Sequence, residues 1–114
     1  MIILYGIPNC DTVKKACTWL TAQGLAHEFH DFKKAGIPAD RLAAWESELG
    51  WEKLLNRKGT TWRKLDPQEQ AGAVDAASAQ ALMRAQPSLI KRPVVEWGNR
   101  STVGFDPAVW TTGL

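Results

Sequence analysis

The chain is poor in the residues that small proteins use as covalent or metal staples: its 114 residues include two cysteines and two histidines. Two cysteines allow at most one disulfide, and no row of four Cys/His residues has the spacing of a structural zinc site. A long apolar run is also missing. The sequence begins MIILYGIPNCD and soon enters a charged helical pattern, so neither a secretory leader nor a membrane span is expected. Excess charge of one sign is absent too: 14 Lys/Arg stand against 12 Asp/Glu, and a net +2 is too small to argue for nucleic acid. There is no internal repeat and no low-complexity linker. What is present, 45% apolar and 23% charged residues, suits one globular domain over residues 1–114. Area scaling removes at most about 12,000 Å² from water on folding, enough for a core without staples. The expected home is a reducing cytoplasm, where Cys10 and Cys17 are thiols.

The small positive charge is local. Residues 51–64, WEKLLNRKGTTWRK, hold five bases against one acid, whereas the segments on either side are each slightly acidic. Ile2, Ile3, Leu4 and Tyr5 form a short apolar run broken by Gly6 and Pro8, the pattern of a strand covered on both faces. Val13, Ala16, Cys17 and Leu20 then recur at helical spacing, predicting a helix over 11–23 that Gly24 ends. Leu25 to Phe32 alternates loosely as a second strand. Leu42, Trp45 and Leu49 predict a helix over 38–49, and a helical turn follows at 51–55. Asp66, Pro67 and Glu69 have the N-cap, first-turn and capping-box positions of a helix start, and Ala79, Leu82 and Met83 give the apolar side of a helix over 76–85. Val94 and Val95 pair as a hairpin with Arg100 to Val103 across a Gly98-Asn99 turn, and Asp106 caps a last helix through Trp110. The fold class is therefore α/β with a mixed sheet, interrupted by a helical insertion at about 38–86.

Cys10 stands where a buried strand gives way to a helix. Unpaired backbone N–H groups at such a start stabilise a thiolate and can hold an oxyanion, although the Asp11 carboxylate opposes this. Position alone is equally compatible with a reactive thiol and with one more small buried residue. Cys17 lies seven residues on, about 10 Å along the axis, too far for a disulfide within a regular helix, so it is expected in the core. If Cys10 reacts, its resolving thiol must come from another molecule.

The blocks YGIPNCDTVKKA, ELGWEKLLNRKGTTWRKL and LIKRPVV, with the tail VGF, run in order over nearly the whole chain. They resemble the family of glutaredoxin-linked arsenate reductases (ArsC) and Spx-type regulators, in particular its small bacterial YffB-like members. The resemblance implies a thioredoxin-like (glutaredoxin-like) fold, a nucleophilic cysteine at Cys10 with Pro8 two residues before it, and Arg92 preceding a cis-proline at Pro93. It also implies three arginines around the oxyanion, with glutathione and glutaredoxin completing the reduction. One of those arginines falls on Asn56, with Arg57 adjacent, and the last falls on about Val103. The regulators' CxxC pair is broken by Val13.

An arginine is a planar multi-donor clamp that asparagine and valine do not imitate, so arsenate turnover is expected to be weak. The reading is of a thiol-dependent oxidoreductase with Cys10 and Arg92 catalytic and Pro8, Asn9, Asn56, Arg57, Lys91 and Pro93 binding substrate in a cleft. No bound cofactor and no metal are expected. Glutathione or another small thiol is the expected co-substrate, glutaredoxin or an oxidised protein a further partner, and the chain a monomer with neither membrane nor nucleic-acid contacts. The alternatives are a non-catalytic protein-binding or Spx-like regulatory domain, and a weak arsenate reductase.

Overall fold

The structure, a computed structural model, describes residues 2–98 and 100–112. The chain packs into two compact units, Met1–Asp31 with Arg92–Leu114, and Phe32–Lys91. In the first unit β1 (Ile2–Gly6), β2 (His27–Asp31), β3 (Val94–Glu96) and β4 (Ser101–Val103) form one sheet in the order β2-β1-β3-β4. β1 runs parallel to β2 and antiparallel to β3, and β3 antiparallel to β4, so the sheet is mixed. The unbroken apolar run of β1 follows from its inner place, because both of its neighbours cover its edges and both faces carry side chains. β2 is an edge strand and correspondingly polar.

α1 (Asp11–Ala22) makes the crossover between the parallel strands. Its Val13, Ala16 and Leu20 pack with Leu4, Val95 and Trp110 into a single cluster. Trp110, on α8 (Pro107–Thr112), is met edge-on by Trp19, Trp97 and Phe105 at centroid distances of 5.5, 5.0 and 5.0 Å. Such edge-to-face pairs add about 0.5–1.5 kcal/mol each beyond area burial. Gly24 at φ 70° closes α1: its N–H donates to the Thr21 carbonyl and the Leu25 N–H to that of Leu20, the paired bonds of a Schellman end.

The second unit is helical: α2 (Phe32–Ala35), α3 (Ala39–Leu49), α4 (Trp51–Leu54), α5 (Thr60–Lys64), α6 (Pro67–Ala71), α7 (Ala76–Ala85) and a 3-10 turn at Pro87–Leu89. Phe32, Leu42, Trp45, Leu54, Leu55, Met83, Leu89 and Ile90 are buried in it. Leu55 and Ile90 form an isolated antiparallel bridge, flanked by bonds from the Asn56 N–H to the Leu89 carbonyl and from the Lys91 N–H to the Leu54 carbonyl, both 2.7 Å. Asp66 and Asp75 begin α6 and α7 with complete capping boxes, closed by Glu69 and Ser78.

Three expectations need correcting, and one helix was not foreseen. The second strand is shorter than Leu25–Phe32: the Schellman closure holds Leu25 on α1, and Phe32 opens α2, which its lone buried aromatic did not announce. Thr60–Lys64, to which the sequence pattern assigned no element, is α5; two β-branched threonines after a glycine hid it, because they carry no apolar period. Pro38 is the N-cap of α3 rather than its first residue. The last helix continues past Trp110 to Thr112. In the hairpin the Trp97 N–H donates to the Arg100 carbonyl at 2.8 Å, and Asn99 lies outside the described residues.

Candidate functional site

β1 ends at Gly6, and a two-residue exposed turn, Pro8 and Asn9, delivers Cys10 to the start of α1. A Cβ on Gly6 would lie 2.7 Å from Val13 Cγ2, so glycine is what lets the first turn of α1 approach the strand. Cys10 takes the N-cap position with extended backbone, φ −117° and ψ 120°, and its thiol forms no cap hydrogen bond of ordinary geometry. Asp11, Thr12 and Val13 are thus N1, N2 and N3, whose amide hydrogens have no partner within the helix.

The antiparallel pairing of Tyr5 with Val94 sets the segment before β3 beside the end of β1 that leads to Cys10. The Arg92–Pro93 peptide bond is cis. Burial pushes the Cys10 thiol up, but the Val13 N–H, the Arg92 guanidinium through both a hydrogen bond and its charge, and the Thr12 N–H together outweigh it and lower the thiol below its ordinary value. Cys17, half-buried inside α1, has only burial acting on it and is pushed up. Both cysteines are free thiols. A thiol lowered by a cation and two amides has the electrostatic surroundings that favour a thiolate, the form of cysteine that can act as a nucleophile.

The structure brings Cys10, Arg92, Pro8, Asn9 and Pro93 into the first unit. Asn56, Arg57 and Lys91 belong to the second. There the Asn56 Oδ1 accepts from the Lys58 N–H at 3.1 Å, closing a local turn, and the exposed Arg57 lies over the Trp51 ring at 5.2 Å. Val103 pairs with Val94, and the Gly104 N–H donates to the Pro93 carbonyl at 2.9 Å, so Val103 lies next to the proline. Arg100 lies at the opposite end of the β3–β4 hairpin, about 10 Å of strand from Val103, with its guanidinium over the Trp97 ring at 5.6 Å.

The sequence reading did not single out Val13 as the foremost amide donor to the thiolate. The signal was there: an N-cap side chain accepts from N2 or N3, and Val13 is N3 once Cys10 is the cap. A cavity of about 630 Å³ is lined entirely by residues of the second unit, with Lys64 and Glu69 on its wall. Among the described residues no group of three His, Cys, Asp or Glu side chains is arranged to hold a metal, and no helix is long and apolar enough to cross a membrane.

A thiol on the first turn after the central strand, facing the residue before a cis-proline, defines a class of sites on thioredoxin-like folds. The ArsC family model matches residues 5–112, and the chain belongs to the ArsC family. It is similar to the solved structure of the YFFB protein, with 51% identity, a TM-score of 0.95 and coverage of 100% of this chain and 99% of that one. An arsenate reductase (ArsC) related protein from Brucella melitensis is 50% identical at a TM-score of 0.76, over 97% of this chain and 92% of that one. An uncharacterized protein of Haemophilus influenzae is 40% identical over 93% of this chain and 92% of its own length. The fold is thioredoxin-like, with a mixed sheet and helical insertions.

Proposed function

We propose that this chain is a thiol oxidoreductase of a reducing compartment, with Cys10 as nucleophile and glutathione as co-substrate. The observation that carries the reading is the lowered Cys10 thiol at the open start of α1, held by the Val13 and Thr12 amides and the Arg92 guanidinium. In the proposed cycle the Cys10 thiolate attacks one sulfur of an oxidised disulfide. The S–S bond breaks, the second sulfur leaves as a thiolate and takes a proton, and Cys10 is left in a mixed disulfide. A glutathione thiolate displaces the remaining substrate sulfur, and a second glutathione displaces Cys10, so two glutathiones supply the two electrons and depart as glutathione disulfide. Val13 blocks an internal resolving thiol, which is why the external one is required. Pro8, Asn9 and Pro93 form the adjoining binding surface. Arsenate is a poor substrate in this reading, because Val103 stands beside Pro93 where a guanidinium is needed and Arg100 is at the far end of the hairpin.

The test is the pH dependence of Cys10 alkylation together with glutathione-driven reduction of a mixed disulfide by wild type and Cys10→Ala. A Cys10 profile below the free-thiol value of about 8.5, with turnover lost in Cys10→Ala, supports the proposal. An ordinary thiol profile and no turnover above the uncatalysed rate would replace it with the non-catalytic binding reading. Robust arsenate reduction would overturn the substrate assignment.

A further inference from the structure

Beside the reactive end of α1 the surface carries two apolar grooves that the proposed thiol chemistry does not use. One, about 520 Å³, is bounded by Pro8, Val13, Lys14, Cys17, Thr18 and Phe29. The other, about 450 Å³, is bounded by Lys14, Lys15, Thr18, Trp19, Ala22 and Phe105. Lys14 and Thr18, four residues apart on one helical face, form the ridge that the two share; the Thr18 hydroxyl donates to the Lys14 carbonyl at 2.9 Å. Phe29, on the edge strand β2, has 41% of its surface exposed and bounds the first groove.

The first groove leads to the thiol. Pro8 and Val13 line it, and they flank Cys10 in sequence; Cys10, Lys14 and Cys17 follow one another along α1 at four- and three-residue steps. Both grooves are also one-signed: Lys14 and Lys15 line them, no acidic side chain does, and neither lysine forms an ion pair among the described residues.

We infer that this face of α1 is a docking surface for a protein substrate, receiving an acidic segment whose two bulky apolar side chains seat on either side of the Lys14–Thr18 ridge. The inference rests on the oxidoreductase reading only in naming the occupant's role, and it extends that reading from small disulfides to disulfides within proteins. Apolar anchors supply the affinity, because each groove buries side-chain surface that water now covers. The lysines supply the selection for acidic sequence and make the encounter salt-dependent. Cys10 then meets the sulfur that follows the anchors in the bound segment.

The test separates docking from redox chemistry. The probe is a short synthetic peptide with two phenylalanines among glutamates and serine where a substrate would have cysteine, titrated into the full chain while backbone amide shifts are followed. Shifts centred on Lys14, Cys17, Thr18 and Phe29 are expected, kept in Cys10→Ser. Affinity should fall at least about tenfold in Thr18→Gln, whose longer uncharged side chain intrudes on both grooves from an exposed helical site without disturbing the core, and similarly in Phe29→Ser. A matching peptide with lysines for glutamates should bind at least about tenfold more weakly at low salt. Shifts confined to other surfaces, equal binding of the two peptides, or unchanged affinity in Thr18→Gln would overturn the docking surface while leaving the Cys10 reaction intact. Conversely, an inert Cys10 with the expected shifts would overturn the oxidoreductase reading and leave the docking surface standing.

Discussion

At α6 and α7 an aspartate closes the helix start, whereas at α1 a thiol stands in the same position and closes nothing. Asp66 accepts the Glu69 N–H at 2.8 Å and Asp75 accepts the Ser78 N–H at 2.9 Å, and each aspartate's own N–H donates back to the side chain of that third helical residue. The equivalent amides of α1, those of Thr12 and Val13, have only the Cys10 sulfur before them. A cap is worth about 1 kcal/mol, so α6 and α7 spend their N-termini on stability. The sheet unit leaves its longest helix without an oxygen cap at the point where the lowered Cys10 thiol sits. The contrast shows the same electrostatic resource, the amides of a helix start, turned in one place to capping and in the other to lowering a thiol.

Several changes break or sharpen this contrast. The largest effect is expected from Cys10→Ala, which should abolish glutathione-driven disulfide reduction while leaving the far-ultraviolet circular dichroism unchanged, because the residue is a half-exposed cap. Next is Arg92→Ala. Removing the guanidinium leaves burial and two amides acting on the thiol, so its pKa rises toward the free value and the thiolate fraction near pH 7 falls by about tenfold for each unit of that rise. The alkylation rate of Cys10 at pH 7 reads this directly, and Arg92→Lys should recover only part, since lysine keeps the charge but loses the planar fork.

On the stability side, Asp66→Ala and Asp75→Ala should each cost about 1 kcal/mol in urea unfolding. At α1 the sign reverses: Cys10→Ser supplies a cap oxygen where the wild type has none, and should stabilise the protein relative to Cys10→Ala by up to about 1 kcal/mol while remaining inactive. If Cys10→Ser gains nothing over Cys10→Ala, the α1 amides are not available to a side chain and the contrast fails.

The smallest effect is on pH dependence. The Cys10 thiol is lowered by folding, so its contribution is present above the unfolded-chain value of about 8.5 and lost as pH falls through the folded value. Cys17 is raised by folding, so its contribution is present below about 8.5 and lost as pH climbs through the folded value. Unfolding free energy measured across this range should therefore rise with pH relative to Cys10→Ser and fall relative to Cys17→Ser. Both slopes are shallow because each thiol is partly solvated.

Much of this was legible in the amino-acid sequence, because the signals are local. The apolar run of β1, the helical spacing of Val13, Ala16 and Leu20, the Asp66-Pro67-Glu69 start and the Gly24 stop each depend on a few neighbouring residues and need no partner to be recognised. Cys10 at a strand-to-helix turn was visible for the same reason. The overreach of the second strand into Phe32 and the missed α2 and α5 share a cause: four- and five-residue helices are too short to show a period, and tertiary packing rather than propensity holds them.

Only the tertiary structure decided what Cys10 is. Its lowered thiol depends on Arg92, 82 residues away in sequence, and no local pattern links the two. The link is the antiparallel register of β1 with β3, which aligns Tyr5 with Val94 and so sets the residue before the cis-proline at the strand end from which Cys10 departs. The register of β3 with β4 separates Arg100 from Val103 in the same way: Val103 pairs with Val94 beside the proline, while Arg100 stands at the turn end of the hairpin. Sequence by itself fixed which residues are capable of the chemistry, since a thiol, a guanidinium and open amides are properties of residue type and local conformation. Which of them act on one another follows from strand pairing, because electrostatic and hydrogen-bond effects on a thiol fall away within a few ångströms and only the folded sheet sets distances at that scale.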